Sequence, residues 1–400
     1  MTTAQKDECR ISYETDGSKL TIILDGQIST ANAPNVENEV KEHLDGAESI
    51  VIDAKELTYI SSAGLRILLR LKKAHDDITI INVAPEVYDI FEVTGFTEML
   101  NIRRAFRHLS VEGCEVIGEG ANGIVYRYDE DTIVKVFRNP DSLAEIERER
   151  ELARTAFVLG VPTAISYDIV QVDNGLYGSV FELLNAKSYH RLLKEGTKTV
   201  DEIAKMSAEL LKIVHATEPK PGALPSRKQI STRRMVKIKE AGIMPEEEFE
   251  RLNTMVDAIP DETHMLHGDF HIKNVMIQNE ESLLIDMDTL CVGNTVYELA
   301  GMYLPYIGFA KIDPEDTVKF FGLSPEVTED LYNRIMAYYF ADQPEELENA
   351  KKKAIVLACA RMMYYCAVMK HVNENNRDAI IAMCRENFNK LLPELSELAI

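Results

Sequence analysis

Four hundred residues, 46% hydrophobic and 28% charged, suit two or three globular cores rather than one. A formal net charge of −22 argues against a nucleic-acid footprint and against docking on an anionic membrane. Six scattered cysteines show no C-x-x-C pair and no histidine at zinc spacing, so they read mostly as buried thiols in a reducing cytoplasm. Met1 to Arg10 has no apolar stretch of the kind a secretion signal needs. The most membrane-like run, residues 354–369, is too short to span a bilayer and contains Arg361, so it reads as a buried helix.

Taken in order, residues 20–24 (Leu-Thr-Ile-Ile-Leu) predict a strand ended by Asp25 and Gly26. A helix follows over about 31–44, with Val36, Val40 and Leu44 on one face. Residues 49–53 predict a second strand, and Leu65, Leu68, Leu69 and Leu71 an amphipathic helix after Ser61-Ser62-Ala63-Gly64. Residues 78–81 predict a third strand, and Pro85 opens a helix to Val93 before a turn at Gly95. This alternation predicts a small α/β domain over residues 1–105.

The phrase Tyr59-Ile60-Ser61-Ser62-Ala63-Gly64-Leu65-Arg66, with Val93-Thr94-Gly95-Phe96, resembles the STAS domain of anti-sigma-factor antagonists. That resemblance spans about 10–103 and implies a protein partner, including an anti-sigma-type kinase that phosphorylates Ser62. Where members with that switch carry acidic residues, this chain has Ser29 and Ser61. The residues alone read more readily as a helix N-cap at Ser61 or Ser62 than as a phosphorylation site.

Residues 103–110 read as a short basic connector without Gly or Pro. Beyond it, Gly118-Glu119-Gly120-Ala121-Asn122-Gly123 precedes the apolar run Ile133-Val134-Lys135-Val136-Phe137. A lone G-x-G-x-x-G is weak, but a dinucleotide fold would open a helix directly after it, whereas here a strand lysine follows. The arrangement resembles that of kinases. It implies that Gly118, Gly120 and Gly123 cover a nucleotide and that Lys135 contacts its α- and β-phosphates; an edge lysine facing water is the alternative. Residues 142–159 predict a helix whose Glu149 lies on the stripe of Leu152, Ala153 and Ala156, so Glu149 is the expected partner of Lys135. Glu145 and Glu151 remain alternatives. Residues 177–184, with Glu182 and Leu184, resemble the strand and hinge that bind adenine through backbone.

Residues 200–217 predict an amphipathic helix. Residues 227–239 hold six basic side chains and no acidic ones, which reads as a solvated helix face or as an anion site near the acceptor pocket. His267-Gly268-Asp269-Phe270-His271-Ile272-Lys273-Asn274 then leads through a turn to Ile285-Asp286. An Asp, an Asn five residues on and a second Asp after the next strand can converge on one site. Phosphoryl transfer needs such a trio, and a hard Mg²⁺ ion prefers those oxygen ligands.

At these residues the chain resembles the aminoglycoside phosphotransferase and choline kinase group, relatives of protein kinases. The resemblance implies Asp269 as catalytic base, Asn274 and Asp286 as metal ligands, ATP or GTP with Mg²⁺, and a small-molecule hydroxyl acceptor. Gly293-Asn294-Thr295-Val296-Tyr297-Glu298-Leu299-Ala300 fits the same group, while D-F-G and A-P-E are absent. Asp288 reads as a second metal or phosphate contact or as a turn cap. Met362, Met363, Tyr364 and Tyr365 read as core more readily than as binding surface.

The expected fold class is therefore α/β: a STAS-like domain over 1–105, then a bilobal protein-kinase-like (α+β) phosphotransferase domain over 106–400. Its N-lobe is expected at about 111–184 and its C-lobe at about 185–400. The expected protein is cytoplasmic, with neither nucleic acid nor membrane insertion. Three functions stay open: a small-molecule kinase with a regulatory STAS module, a kinase of a STAS serine, and a nucleotide-binding scaffold.

Overall fold

The structure, a computed structural model, describes residues 8–120, 122–183, 186–369 and 374–400. These fall into two compact units. One holds residues up to Glu112 with Ile169–Gly175; the other holds Gly113–Asp168 and Leu176–Ile400.

The first unit is built on a five-stranded sheet of order β1-β2-β3-β4-β5. Its strands are β1 (Cys9–Asp16), β2 (Lys19–Ile28), β3 (Ser49–Ile60), β4 (Ile78–Val83) and β5 (Asn101–Arg104). A tight turn makes β1 and β2 antiparallel. The later pairs are parallel, because helical crossovers return the chain to the same edge. Those crossovers use α1 (Ala33–Glu42), α2 (Ser62–Ala74), α3 (Pro85–Val93) and the short α4 (Phe96–Met99). Ile22, Ile50, Ile80 and Phe91 are almost wholly buried between sheet and helices. Gly64 is dictated by packing: a Cβ there would lie 2.7 Å from the side chains of both Ile28 and Ile60, so only glycine lets α2 approach the sheet this closely.

Two segments differ from the sequence expectation. No strand was expected before residue 20, yet β1 forms the sheet edge, with Cys9, Ile11 and Tyr13 packed partly on the core. Such a polar edge strand carries little apolar alternation to read. Residues 103–110 are not a plain connector: they end β5 and form β6 (Arg107–Leu109), which pairs in parallel with Asp168–Val172. A register set by a partner some 60 residues away leaves no local pattern.

The second unit begins with β7 (Glu115–Glu119), β8 (Gly123–Arg127) and β9 (Thr132–Phe137), antiparallel and joined by Tyr177–Glu182 alongside β9. Helix α5 (Leu143–Val158) buries Ile146, Glu149, Leu152, Ala153 and Ala156 on one stripe. The remainder is mainly helical. Val200–His215 starts from a complete Thr199/Glu202 capping box. Leu347–Val368 contains most of the membrane-like run and is apolar on most sides because it is buried, with Val356 and Met363 fully enclosed. No helix among the described residues is long and apolar enough to cross a membrane.

Candidate active site

Between Met265–Leu266 and Val275–Gln278 the chain turns through residues 267–274. Gly268 sits at φ +85°, and a Cβ there would meet the Thr289 carbonyl oxygen at 2.4 Å, so this position excludes every other residue. Its amide donates to both carboxylate oxygens of Glu298, at 3.0 and 3.1 Å, and the Phe270 amide donates to Oε1 at 3.4 Å. Glu298 is fully buried and so acts as a clamp on the loop. The Asp269 amide donates to His267 Nδ1 at 3.3 Å, which leaves the ring proton on Nε2, facing the Ile285 carbonyl at 3.1 Å. Asn274 Nδ2 donates to the Asp269 carbonyl at 3.1 Å, and the Ile285 amide donates to the Asn274 carbonyl at 3.0 Å. The loop and the strand end that carries Asp286 are thereby one hydrogen-bonded piece.

Lys135 on β9 completes the cluster. Its Nζ donates to Glu149 at 3.0 and 3.2 Å and to Asp286 Oδ1 at 2.7 Å. Glu149 is the carboxylate brought to Lys135; Glu145 is exposed and Glu151 lies near Arg154 at 3.7 Å. Asp286 adopts the left-handed conformation, φ 64° and ψ 63°, which aspartate tolerates better than most residues. The glycines divide by cause. A Cβ on Gly123 would strike the Val136 carbonyl oxygen at 2.3 Å, so Gly123 serves the β8–β9 pairing, whereas nothing lies within 4 Å of a Cβ on Gly120. Gly118 lies in β7, Gly120 donates to the Gly123 carbonyl at 2.9 Å, and Asn122 Nδ2 reaches Asp288 Oδ2 at 3.5 Å.

The electrostatics mark the site as short of positive charge. Burial alone would lower the Lys135 ammonium, yet Glu149 and Asp286 together raise it above its ordinary value. Burial raises the Glu149 carboxyl against the pull of Lys135. Asp288 is pushed up to about 7 by burial and by the charges of Asp286, Glu149 and Asp269. Burial also works against ionised Asp269, but hydrogen bonding and charge from His271, with His267 and Arg361, hold it down at about 2. His271 Nε2 stands 3.4 Å from Asp269 Oδ2.

This donor set fits Mg²⁺. Asp286 and Asn274 offer hard oxygens, and the Asn274 side chain spends its NH₂ on the loop rather than its oxygen. Among the described residues no three acidic, His or Cys side chains form a complete metal cage. An ion that takes one or two protein ligands and completes its shell with phosphate and water suits such a partial set.

Of the other expected residues, Glu182 is exposed at the end of its strand and paired with Thr132. Leu184 lies outside the described residues. Ser62 is exposed on the first turn of α2, while Ser61 is the cap, its Oγ accepting from the Gly64 amide at 3.3 Å. The sequence reading assigned nothing to Glu298, His271 or Arg361. Glu298 stood in a recognised segment, but its partners lie 28 and 30 residues away.

Residues 113–326, more than half of the chain, match the phosphotransferase enzyme family. The chain belongs to that family. In this phosphotransferase, residues 10–109 match the STAS domain, so a STAS domain is followed by a kinase-like fold. A Bordetella bronchiseptica protein described as an anti-sigma factor antagonist, BtrV, is 33% identical over 88 residues, covering 21% of this chain and 76% of its own. Among solved structures, a thermostable variant of aminoglycoside phosphotransferase APH(4)-Ia with ADP and hygromycin B is 12% identical. That comparison covers 77% of this chain and 98% of the other, with a TM-score of 0.49. ADP-bound APH(2'')-Ib is 16% identical over 75% of this chain and 98% of its own, with a TM-score of 0.47.

Proposed function

We propose that this phosphotransferase moves the γ-phosphoryl group of ATP or GTP, with Mg²⁺, to a hydroxyl of a small molecule, and that its STAS domain serves regulation or docking. The observation that carries the reading is the Lys135 ammonium held between Glu149 and Asp286, three residues from separate segments.

Lys135, fixed by Glu149, positions the α- and β-phosphates, with the amides of the Gly118–Gly120–Gly123 loop above them. Asn274 and Asp286 hold Mg²⁺, which when bound neutralises charge on the phosphates. Asp269, ionised because its carboxyl is held down at about 2, accepts a hydrogen bond from the acceptor hydroxyl and orients it for in-line attack. As the acceptor O–P bond forms and the β–γ bridge breaks, the hydroxyl proton passes to Asp269 and then to water, and nucleoside diphosphate leaves. Glu298 and His267 fix the loop, so that Asp269 is in place before substrate arrives. Backbone beside Glu182 and Leu184 is proposed to take the base. On the STAS domain, exposed Ser62 at a helix N-terminus is the proposed phosphoacceptor for a partner kinase.

The test is nucleoside diphosphate release from full-length protein offered a panel of alcohols. Asp269→Asn is expected to cut turnover by about a thousandfold while nucleotide binding persists. Equal turnover in that variant would remove Asp269 from the chemistry.

A further inference from the structure

A pocket opens between the helices Arg227–Ala241, Val296–Tyr303 and Leu347–Val368. Three arginines line it: Arg227, Arg234 and Arg361. Arg227 is only 6% exposed, and none of the three forms an ion pair among the described residues. The contacts of Arg361 and Arg234 are with neutral groups. Arg361 Nε donates to the Tyr365 hydroxyl at 2.9 Å, and the Arg234 guanidinium stacks 5.3 Å from the Tyr364 ring. The Tyr297 hydroxyl is buried on the same wall, beside Ser231. The rest of the first helix behaves otherwise: Lys237 pairs with Glu240, and Lys239 with Glu246 and Glu250. The basic stretch 227–239 therefore splits in two. Residues 227, 231 and 234, at helical spacing, face the pocket, whereas Lys237 and Lys239 are neutralised on the surface and Lys228 donates to the Asp257 carbonyl.

Three like charges do not gather in a partly buried pocket without cost. In a chain with 66 acidic and 44 basic side chains, counterions were easily supplied, yet among the described residues none pairs directly with these arginines, although Arg361 acts electrostatically on Asp269 of the adjoining loop. Burial, together with Arg227 and Arg361, pulls the Arg234 guanidinium below its ordinary value, as expected of a site that lacks an anion. The pocket also adjoins the catalytic loop. Glycine at 301 leaves room where a Cβ would stand 3.6 Å from Arg361 Nη1 and 3.8 Å from the Gly268 carbonyl oxygen, next to Asp269.

We infer that the acceptor of this phosphotransferase carries, besides the reacting hydroxyl, a phosphate or carboxylate that Arg227, Arg234 and Arg361 bind. This rests on the phosphotransferase reading above and names its substrate class. The cavity volume is about 30 Å³, which suits a single anionic group rather than a whole sugar ring. Planar guanidinium forks match phosphate and carboxylate oxygens. A polycationic amine acceptor would bring its charges against three fixed ones of the same sign.

The experiment uses full-length protein with MgATP or MgGTP and four acceptor classes: neutral polyols, aminoglycosides, hydroxy acids and sugar phosphates. Turnover is expected with hydroxy acids or with sugar phosphates, and which of them reacts separates carboxylate from phosphate. Arg234→Gln is expected to raise the acceptor KM at least tenfold and leave the nucleotide KM within twofold; Arg234→Lys is expected to recover part of the loss. Circular dichroism melts confirm that both variants fold. In parallel, calorimetry with inorganic phosphate on nucleotide-free protein is expected to show binding that Arg234→Gln abolishes. Turnover confined to neutral or cationic acceptors, or an acceptor KM unmoved by Arg234→Gln, overturns the inference while the phosphotransferase reading stands. Absence of nucleotide binding, with phosphate still held by Arg234, overturns the phosphotransferase reading and the acceptor assignment with it, leaving only an anion site.

Discussion

Replacing Lys135 with Met would remove the cation held between Glu149 and Asp286 and leave a buried carboxylate alone. The side chain of Glu149 is 11% exposed, so water cannot rescue it; that of Asp286, at 37%, is partly solvated. The variant's cheapest response is to protonate Glu149. In the unfolded chain this group titrates near 4.5, so neutralising it at pH 7 costs at most 2.303RT times the difference of 2.5, about 3.4 kcal/mol. At pH 5 the same bound is about 0.7 kcal/mol. The sign follows from the raised folded value: the variant gains stability relative to wild type as pH falls toward 4.5. Glu149→Leu placed on top of Lys135→Met removes the orphan charge, so the double variant should regain most of the loss at pH 7 while remaining inactive. Denaturant unfolding of the full chain, followed by circular dichroism since there is no Trp, reads all three proteins at both pH values. A deficit equal at pH 5 and pH 7, or a double variant no more stable than Lys135→Met, would refute this account of the pair.

Gly268→Ala should unfold the loop over residues 267–274, since a methyl 2.4 Å from a carbonyl oxygen adds to left-handed strain; activity is expected to be lost and the melting temperature to fall, by an amount equivalent to about 2 kcal/mol or more. Glu298→Gln replaces charged acceptors of two amides with one neutral oxygen and should lower kcat ten- to a hundredfold, with the nucleotide Kd unchanged in a binding titration. His215 is fully buried with its titration pushed down to about 3, chiefly by burial and further by His264. The unfolded chain therefore takes up a proton below 6.5 that the native one refuses, and stability declines as pH falls, by about 2 kcal/mol at pH 5. His215→Gln should flatten that slope in denaturant titrations run at pH 7 and pH 5.

Much of the site was written in local sequence, because its parts are short motifs with fixed spacing. Asp269 and Asn274 lie five apart on one loop, and Glu149 shares a helical stripe with Leu152 and Ala153, which is why it reaches Lys135 while Glu145 does not. The arginine pocket was only half legible. Arg234 stood in a recognisable basic stretch, but Arg361 is isolated in an apolar helix, and only packing of three helices brings them together. Glu298 was hidden for a related reason: nothing local distinguishes a carboxylate that clamps a loop 30 residues upstream. Among the strands, β2, β3 and β4 announced themselves through buried isoleucines, whereas β1, β5 and β6 are polar or short and depend on partners for their existence.

The central claim is a magnesium-dependent nucleotide site built from Lys135, Asn274 and Asp286, and calorimetry on the full-length protein tests it most directly. Titration with ATP and with GTP, each with and without Mg²⁺, should show one nucleotide binding more tightly when the metal is present. Asp269→Asn should keep that behaviour, and Asp286→Asn should lose the part that depends on metal. No heat from either nucleotide at millimolar concentration, or binding in Asp286→Asn identical to wild type with and without metal, would contradict it.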